Sequence, residues 1–257
     1  MAEVEVDDQG AVRVFWMNRP ARRNALSAGL LTELRTQLER AGQDDAVHAV
    51  VLTGRGGTFC AGGDLSDGLA AAGALSGHAA RGLAADFIGW LPTLPIPVIA
   101  AVEGAALGGG CGLAAACDLV VAADDARFGL PEIKLGLFPW IVLSALQRDV
   151  PRKILLEWAL TGEPVSATRA SEVGLVNRVV PAGEAVNAAV VLGAAIGARS
   201  PAIVGMGKRA FYAIADQSLD DALRFMHGQL TVNLLAEDAA EGVAAFFGKR
   251  PPLWKGR

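Results

Sequence analysis

Short apolar runs that alternate with helix-like stretches dominate the first two-thirds of the chain. The runs, which we predict to be strands, are Val12–Met17, His48–Thr53, Pro97–Val102 and Leu119–Ala123. Helices are predicted over about residues 27–43, with Ser27 as the N-cap, over residues 66–90, and in a short Ala-rich stretch after Gly104–Gly110. Strands that alternate with helices are typical of α/β proteins, so we predict the α/β fold class.

The C-terminal part of the chain has a different pattern, in which helices follow one another from about Pro201. The residues Ser218-Leu-Asp-Asp221 form a capping box that opens a helix to about Leu235. A further helix is predicted over residues 238–248, before Pro251-Pro252. We therefore predict a core of residues 1–200 and a helical region of residues 201–257.

Composition limits the kinds of protein that this chain encodes. With 52% hydrophobic and 19% charged residues, the 257 residues exclude a disordered or collagen-like chain. The net charge of −4 gives no basic excess for nucleic acid or an anionic membrane. Three Cys are typical of a reducing compartment. Because the N-terminus is acidic and polar residues interrupt the apolar stretches, we expect a cytoplasmic protein without a membrane segment.

Familiar motifs for nucleotide, metal and serine-nucleophile chemistry are absent from the sequence. It contains no G-x-G-x-x-G, P-loop, G-x-S-x-G or H-E-x-x-H pattern. The three His lack ligand spacing, and Cys60, Cys111 and Cys117 lack a zinc pattern, so we expect these Cys to be small buried hydrophobes. We predict no metal site.

Two glycine-rich loops each follow a predicted strand and lead towards a predicted helix. They are Phe59–Leu65 (FCAGGDL) and Glu103–Gly112 (EGAALGGGCG). Glycine lets a ligand approach the backbone closely, and amides at a helix start carry partial positive charge. Two such amides, one from each loop, would form an oxyanion hole. The alternative is that these glycines serve only tight turns and close packing.

Several motifs in register resemble the crotonase superfamily, the enoyl-CoA hydratase/isomerase family. The segments that carry this resemblance are Asn18-Arg-Pro, Asn24–Ser27, Phe59–Leu65, Ala101–Cys111, Ala116–Leu119, Phe128–Ile133, Leu160–Glu163, Gly174–Asn177 and Glu241–Phe246. The resemblance covers nearly the whole chain. It implies a spiral of ββα units with a C-terminal helical trimerisation region, assembled as a homotrimer or a dimer of trimers. It also implies an acyl-CoA thioester substrate and no separate cofactor, because CoA is part of the substrate.

The resemblance also assigns roles in substrate binding. It implies that the amides of Gly63 and Gly109 hold the thioester oxygen. Ala61, Asp64 and Leu65 correspond to positions that contact the adenine and pantetheine parts of CoA. Arg22 and Arg23 lie where the family lines the CoA entrance and would meet its phosphates, for which arginine is well suited; the alternative for this pair is a solvated surface role.

One acid–base position of the family is kept and another is lost. Family hydratases use two glutamates; the second corresponds to Glu132, but the first corresponds to Gly112. A single carboxylate is able to shuttle a proton, and burial in an apolar pocket would raise its pKa towards the working pH. The alternative for Glu132 is a structural, capping or salt-bridged carboxylate.

The segment after Pro139 also departs from the family, which commonly has glycines there. This chain has Trp140 and Ile141, which we expect to crowd the acyl pocket near Glu132, whereas Gly112 opens space opposite. The alternative for Trp140 is a core residue. Asp67 is a candidate for the missing carboxylate by location alone.

The overall pattern indicates an enoyl-CoA hydratase, whereas the single Glu132 favours isomerase-type proton shuttling. The alternative from another class is a non-catalytic acyl-CoA-binding oligomer. Candidate groups for subunit contacts are Phe246, Phe247 and Trp254, and candidate cations for CoA phosphates near the C-terminus are Lys249, Arg250 and Lys255.

Overall fold

The apolar runs of the sequence form the centre of a six-stranded sheet with the order β1-β2-β3-β4-β6-β9. The computed structural model describes residues 2–64, 66 and 74–257. The strands of this sheet are β1 Val4–Gln9, β2 Val12–Met17, β3 Ala49–Gly54, β4 Val98–Val102, β6 Leu119–Ala123 and β9 Arg178–Val180. A second sheet, of order β5-β7-β8, contains β5 Ala105–Leu107, β7 Arg127–Gly129 and β8 Val165–Ser166. The α/β fold class is confirmed.

Strand β1 has no counterpart among the predicted strands. Its sequence VEVDDQ lacks an apolar run, and in this strand only Val4 is buried. It pairs antiparallel with β2 across the turn at Gly10, from Val4 opposite Met17 to Gln9 opposite Val12. An edge strand with one polar face carries charges at low cost, which is why the apolar pattern did not reveal it.

Ten helices in the described residues surround the sheets. They are α1 Ala28–Gly42, α2 Ala74–Trp90, α3 Gly109–Ala116, α4 Trp140–Leu146, α5 Arg152–Thr161, α6 Ala167–Glu172, α7 Ala185–Gly197, α8 Pro201–Ala213, α9 Leu219–Leu234 and α10 Glu237–Phe247. Two predicted caps are confirmed, because the Ser27 side chain accepts from the Leu30 amide and the Ser218 side chain from the Asp221 amide.

A repeated strand–strand–helix unit places the glycine loops. In one unit, β4 lies in the large sheet, β5 lies in the small sheet and α3 follows. The preceding unit meets it where Cys60 forms an isolated parallel bridge to Ala106. The sequence after β3 and the sequence after β4 therefore run side by side, and this register brings the two glycine-rich loops together.

The C-terminal region begins at Pro201, the first residue of α8. Its last residues are tied back by Asp238, whose carboxylate accepts from Ser200 Oγ at 2.6 Å and from the Lys255 amide at 2.7 Å. Trp254 also packs within the subunit, because its indole N–H donates to the Ala198 carbonyl at 2.9 Å. The role of Trp254 in subunit contacts and the boundary between residues 200 and 201 both stay predictions.

Within the described ranges, no single helix has the length and apolarity of a membrane span, and α7 and α8 meet that measure only as a pair bent by 106°. All three Cys are free and buried, as expected from the sequence.

Candidate active site

Asn24 joins the segment before α1 to the loop after β3. It is buried and left-handed, with φ of 55°. Its Oδ1 accepts from the Arg19 amide at 2.9 Å, and its Nδ2 donates to the carbonyls of Arg55 at 2.9 Å and Thr58 at 2.7 Å. Three backbone groups from two loops are satisfied by one side chain, so Asn24 sets the starting point of the first glycine-rich loop.

Arg19 holds the far end of the same loop. Its guanidinium contacts Asp64 at 2.9 Å and Glu3 at 3.0 Å, and it also donates to the Ala25 carbonyl. The Asp64 side chain is only 7% exposed. Hydrogen bonds from Ser66 and the Arg19 charge hold the pKa of the Asp64 carboxyl below its usual value. Asp64 is therefore an ionised anchor of the loop.

The amides of Gly63 and Gly109 lie at the junction of the two glycine-rich loops. Glycine has no Cβ, so the distance from the place where a Cβ would lie shows how close the neighbouring atoms are. A Cβ added to Gly109 would lie 3.1 Å from the Gly63 nitrogen, and a Cβ added to Gly62 would lie 3.6 Å from the Gly109 nitrogen. Within the described part of the chain, neither amide donates a hydrogen bond to protein. Gly109 is also the first residue of α3, where amides carry partial positive charge. Both amides therefore lie at the same junction and lack a protein acceptor among the described residues.

The Glu132 carboxylate lies against this junction. A Cβ on Gly108 would stand 2.7 Å from Glu132 Oε1 and 3.6 Å from Oε2, so only glycine permits this approach at Gly108, where φ is also +51°. Oε2 is buried and has no hydrogen-bond partner in the described residues. Burial raises the pKa of the Glu132 carboxyl above its usual value. In the described residues the Glu132 carboxylate forms no salt bridge, its own backbone amide donates to it, and burial dominates its pKa shift.

Gly112 does not open space in the site. A Cβ at this position would stand 3.0 Å from Val142 Cγ1 and 3.3 Å from Cγ2. Val142 comes from α4 and is buried. The expectation of open space opposite Glu132 is wrong, because a valine from another helix fills it.

Trp140 is not a core residue. It is 78% exposed, and its ring packs at 5.0 Å from the ring of Phe138. The core alternative for Trp140 is therefore wrong within one subunit. The neighbouring Ile141 is half-buried, and the crowding of an acyl pocket by these two residues stays a prediction.

The candidate CoA-binding residues fall into three groups. Arg22 and Arg23 are exposed, and neither side chain forms a hydrogen bond or ion pair within the described ranges. Half-buried Ala61 donates its amide to the Arg23 carbonyl at 2.9 Å, which places this arginine beside the first glycine-rich loop. Leu65 and Asp67 lie outside the described residues.

Two of the three candidate cations near the C-terminus form ion pairs with carboxylates of the same chain. Arg250 pairs with Glu241 at 2.6 Å, and Lys255 pairs with Glu237 at 3.0 Å. Lys249 forms no such pair in the part of the chain that the structure describes. Of the three proposed phosphate contacts, only Lys249 has a free ammonium group.

Sequence reasoning missed the parts played by Asn24 and Arg19. Both lie in segments that carry the family resemblance. Asn readily adopts a left-handed backbone, as Asn24 does, and this is the sequence signal that points to it. No local pattern separates Arg19 from the nearby basic residues Arg22 and Arg23.

A large cavity lies away from this junction. It measures about 1370 Å³ and is lined by α2, α4 and α8, with Ile88, Ile141 and Tyr212 among its walls. None of Gly63, Gly109 and Glu132 lines it. No group of three or more His, Cys, Asp or Glu in the described residues has the arrangement of a metal site.

The sheets, the repeated units and the paired amides beside a buried carboxylate define a crotonase-fold protein. The family model described as enoyl-CoA hydratase/isomerase matches residues 7–257. A 2,3-dehydroadipyl-CoA hydratase of Escherichia coli is 37% identical, with 100% of both chains covered. An enoyl-CoA hydratase structure from Mycobacterium smegmatis gives a TM-score of 0.94 at 38% identity, with 98% of each chain covered.

The human enoyl-CoA hydratase domain-containing protein 3 gives a TM-score of 0.93 at 32% identity, with 98% of this chain and 100% of that chain covered. The chain therefore belongs to the enoyl-CoA hydratase/isomerase family, which confirms the resemblance seen in the sequence.

Proposed function

We propose that this protein is an acyl-CoA enzyme that stabilises a thioester enolate and moves a proton with Glu132 alone, as an isomerase of enoyl-CoA double bonds. The observation that carries the proposal is the buried Glu132 Oε2, which has no protein partner in the described residues and lies against the junction of the two free amides. A buried carboxylate without a partner is costly to fold unless a substrate or water meets it. The site is therefore built around a reacting group.

The chemistry follows from these three groups. The Glu132 carboxylate takes a proton from Cα of a 3-enoyl thioester, and the electron pair moves onto the thioester oxygen. The amides of Gly63 and Gly109 hold that oxygen as it gains charge. The same carboxyl returns the proton at Cγ, and the double bond now lies between Cα and Cβ. A pKa raised by burial suits both steps, because the group must accept a proton and then release it.

Isomerisation is favoured over hydration because, in the described residues, no second carboxylate lies beside Glu132. Water addition needs a group that takes a proton from water while another protonates Cα. Position 112 supplies no side chain, and Val142 supplies methyl groups in its place. The names of the similar proteins favour hydration, so hydratase activity is the second candidate.

We further propose that CoA binds as part of the substrate and that no resident cofactor is needed. The exposed Arg22 and Arg23, which have no partner in the described residues, are suited to its phosphates. A homotrimer or a dimer of trimers is supported by apolar side chains left exposed in the C-terminal helices. They include Phe211, Leu219, Leu223, Leu230, Leu235, Phe246 and Phe247.

The proposal is tested by assaying a 3-enoyl-CoA for isomerisation and a 2-enoyl-CoA for hydration. The wild type should isomerise the first substrate, and Glu132→Gln should lower that rate by about 10²–10⁴-fold. The matched control is Glu172→Gln, which removes an exposed carboxylate paired with Arg169, and it should keep the wild-type rate.

Rapid hydration that Glu132→Gln abolishes would contradict the isomerase assignment and support a hydratase. Binding of acyl-CoA in calorimetry, with no turnover of either substrate and no effect of Glu132→Gln, would instead establish a non-catalytic acyl-CoA-binding oligomer.

A further inference from the structure

Val142 occupies the volume beside Gly112 with both of its methyl groups. A Cβ at 112 would meet Cγ1 at 3.0 Å, Cγ2 at 3.3 Å and the Val142 Cα at 3.4 Å. Ordinary contacts between carbon atoms lie at about 3.5–4.0 Å. Val142 is 6% exposed and belongs to the main hydrophobic core. The side chain of Val142 therefore fills the volume that a side chain at position 112 would need.

This contact lies one helical turn from the proton-transfer group. The Gly112 amide donates to the Gly108 carbonyl at 3.1 Å, and Gly108 is the residue against which the Glu132 carboxylate lies. Gly108 caps α3 and Gly112 lies about one helical turn further along it, so a side chain at 112 would start about 6 Å beyond the contact of Gly108 with Glu132 and would enter the volume that Val142 fills.

We propose that Val142 is a specificity-determining residue, which makes this a one-carboxylate site by filling the place of a second carboxylate. This inference deepens the proposed function and rests on it. Methyl groups offer no hydrogen bond, whereas a site that holds a water needs about two to four polar partners. Val142 therefore excludes both the second carboxylate and the water that it would activate, which leaves proton movement along the acyl chain as the available reaction.

A cycle of alanine variants tests the packing claim. Gly112→Ala is made in the wild type and in Val142→Ala, and the melting temperature of each protein is measured. Alanine is favoured over glycine within a helix, but in the wild type its Cβ meets two methyl groups. The change in melting temperature caused by Gly112→Ala should therefore be more positive, by several degrees, in the Val142→Ala background.

Val150→Ala is the matched control background. It removes the same two methyl groups from another buried valine, 2% exposed, which is not among the nearest neighbours of Gly112. In this background Gly112→Ala should act as it does in the wild type. An equal effect of Gly112→Ala in all three backgrounds would overturn the proposal.

A carboxylate placed at 112 tests the effect on the reaction. Gly112→Glu is combined with Val142→Ala and, separately, with Val150→Ala, and hydration of a 2-enoyl-CoA is measured. The introduced carboxylate takes a proton from a water whose oxygen bonds to Cβ, and protonated Glu132 delivers a proton to Cα, so one water is added. We expect at least tenfold faster hydration with Val142→Ala than with Val150→Ala.

Equal hydration rates in two folded double variants would overturn Val142 as the determinant of the reaction, and if either protein does not fold, the alanine cycle decides. Failure of the proposed function is seen separately, in the wild type, as the lack of isomerisation of a 3-enoyl-CoA. If the wild type lacks isomerase activity but Gly112→Glu still hydrates faster with Val142→Ala than with Val150→Ala, the proposed function is rejected and the role of Val142 is retained.

Discussion

The floor of the site and its wall are built in different ways. The floor consists of the two glycine-rich loops, in which backbone lies against backbone. A Cβ added to Gly110 would lie 2.8 Å from both the Cβ and the carbonyl carbon of Cys60, and closer still to the Cys60 carbonyl oxygen. The wall consists of side chains from α3 and α4, where Val142 has taken the space that Gly112 leaves. The floor is set by main-chain register, and the wall is set by a choice of side chains.

This difference separates two tasks in the reaction. Holding an enolate oxygen needs backbone N–H groups, which every residue except proline has, where two loops come close together; at Gly110 only glycine permits that close approach. The position at which a proton is removed or added depends on particular side chains, and these side chains can be substituted without moving the backbone of the floor. We therefore expect a side chain added where the backbones of the two loops touch, as at Gly110, to affect folding, and substitutions in the wall to change which reaction occurs.

The largest effect is expected in the floor, from Gly110→Ala. The new Cβ meets the backbone of Cys60, which cannot move without shifting the bridge to Ala106. Overpacking of this kind costs about 3 kcal/mol or more in the free energy of unfolding, and chemical denaturation measures it.

Gly63→Ala is the control for Gly110→Ala, because a Cβ on Gly63 has no heavy atom within 4 Å. Its free energy of unfolding should change by about 0.5 kcal/mol or less. Equal losses for the two variants would show that close backbone contact does not define the floor.

The next effect concerns Asp64, the anchor of the first loop. Asp64→Asn removes the charge of one of the two carboxylates that pair with the Arg19 guanidinium, in a pair whose side chains are 16% and 7% exposed, while the pair with Glu3 remains. Hydrogen bonds to charged groups contribute about 1.5–3 kcal/mol, and a loss of this size in the free energy of unfolding is expected. Asp216→Asn breaks the exposed pair with Arg148 and should leave the melting temperature unchanged.

The same anchor predicts a loss of stability in acid. Because the pKa of Asp64 is lower in the folded protein than its ordinary value of 3.8, its contribution is present above that value and is lost as the pH falls through the folded-state pKa. The stability difference between wild type and Asp64→Asn should therefore shrink below about pH 3.8. A difference that stays constant down to pH 2 would contradict the ion-pair account.

The floor was largely predictable from the sequence, whereas the wall was not. The strand Val12–Met17 and the cap at Ser27 follow from local pattern, and the two glycine-rich loops follow a strand and lead towards a helix. The contact of Val142 with Gly112 joins residues 30 positions apart and depends on how α4 packs on α3. Local pattern does not encode that packing. For the same reason, local pattern does not show that Trp140 is exposed or that Asn24 links two loops.

A smaller effect, of opposite sign, is expected from Glu132→Gln. Burial raises the pKa of this carboxyl, so its ionised form destabilises the folded protein at neutral pH. Removing the charge should raise the melting temperature by about 2–4 °C for each kcal/mol of desolvation relieved, while catalysis is lost. Active sites often trade stability for function in this way.

The pH dependence of stability shows whether the ionised Glu132 carboxylate stabilises or destabilises the folded protein. The folded state binds the Glu132 proton more tightly, so wild-type stability falls as the pH rises from the ordinary value of 4.5 to the folded-state pKa, and the deficit is constant above it. The advantage of Glu132→Gln should thus be full above the folded-state pKa and vanish below about pH 4.5. A variant less stable than the wild type at pH 8 would mean that the carboxylate has a stabilising partner.

The smallest effect is expected at the entrance, from Arg22→Ala and Arg23→Ala. Both side chains are exposed, and a contact between exposed charges contributes about 0.2–1 kcal/mol. Each variant should raise KM for an acyl-CoA by about 1.5–5-fold, and the increase should shrink as salt screens the phosphates. The control is the matching acyl-pantetheine thioester, which lacks those phosphates; its KM should not respond to either substitution. An equal rise in KM for both thioesters would place the arginines in the structure of the loop, beside Ala61, and not at the phosphates.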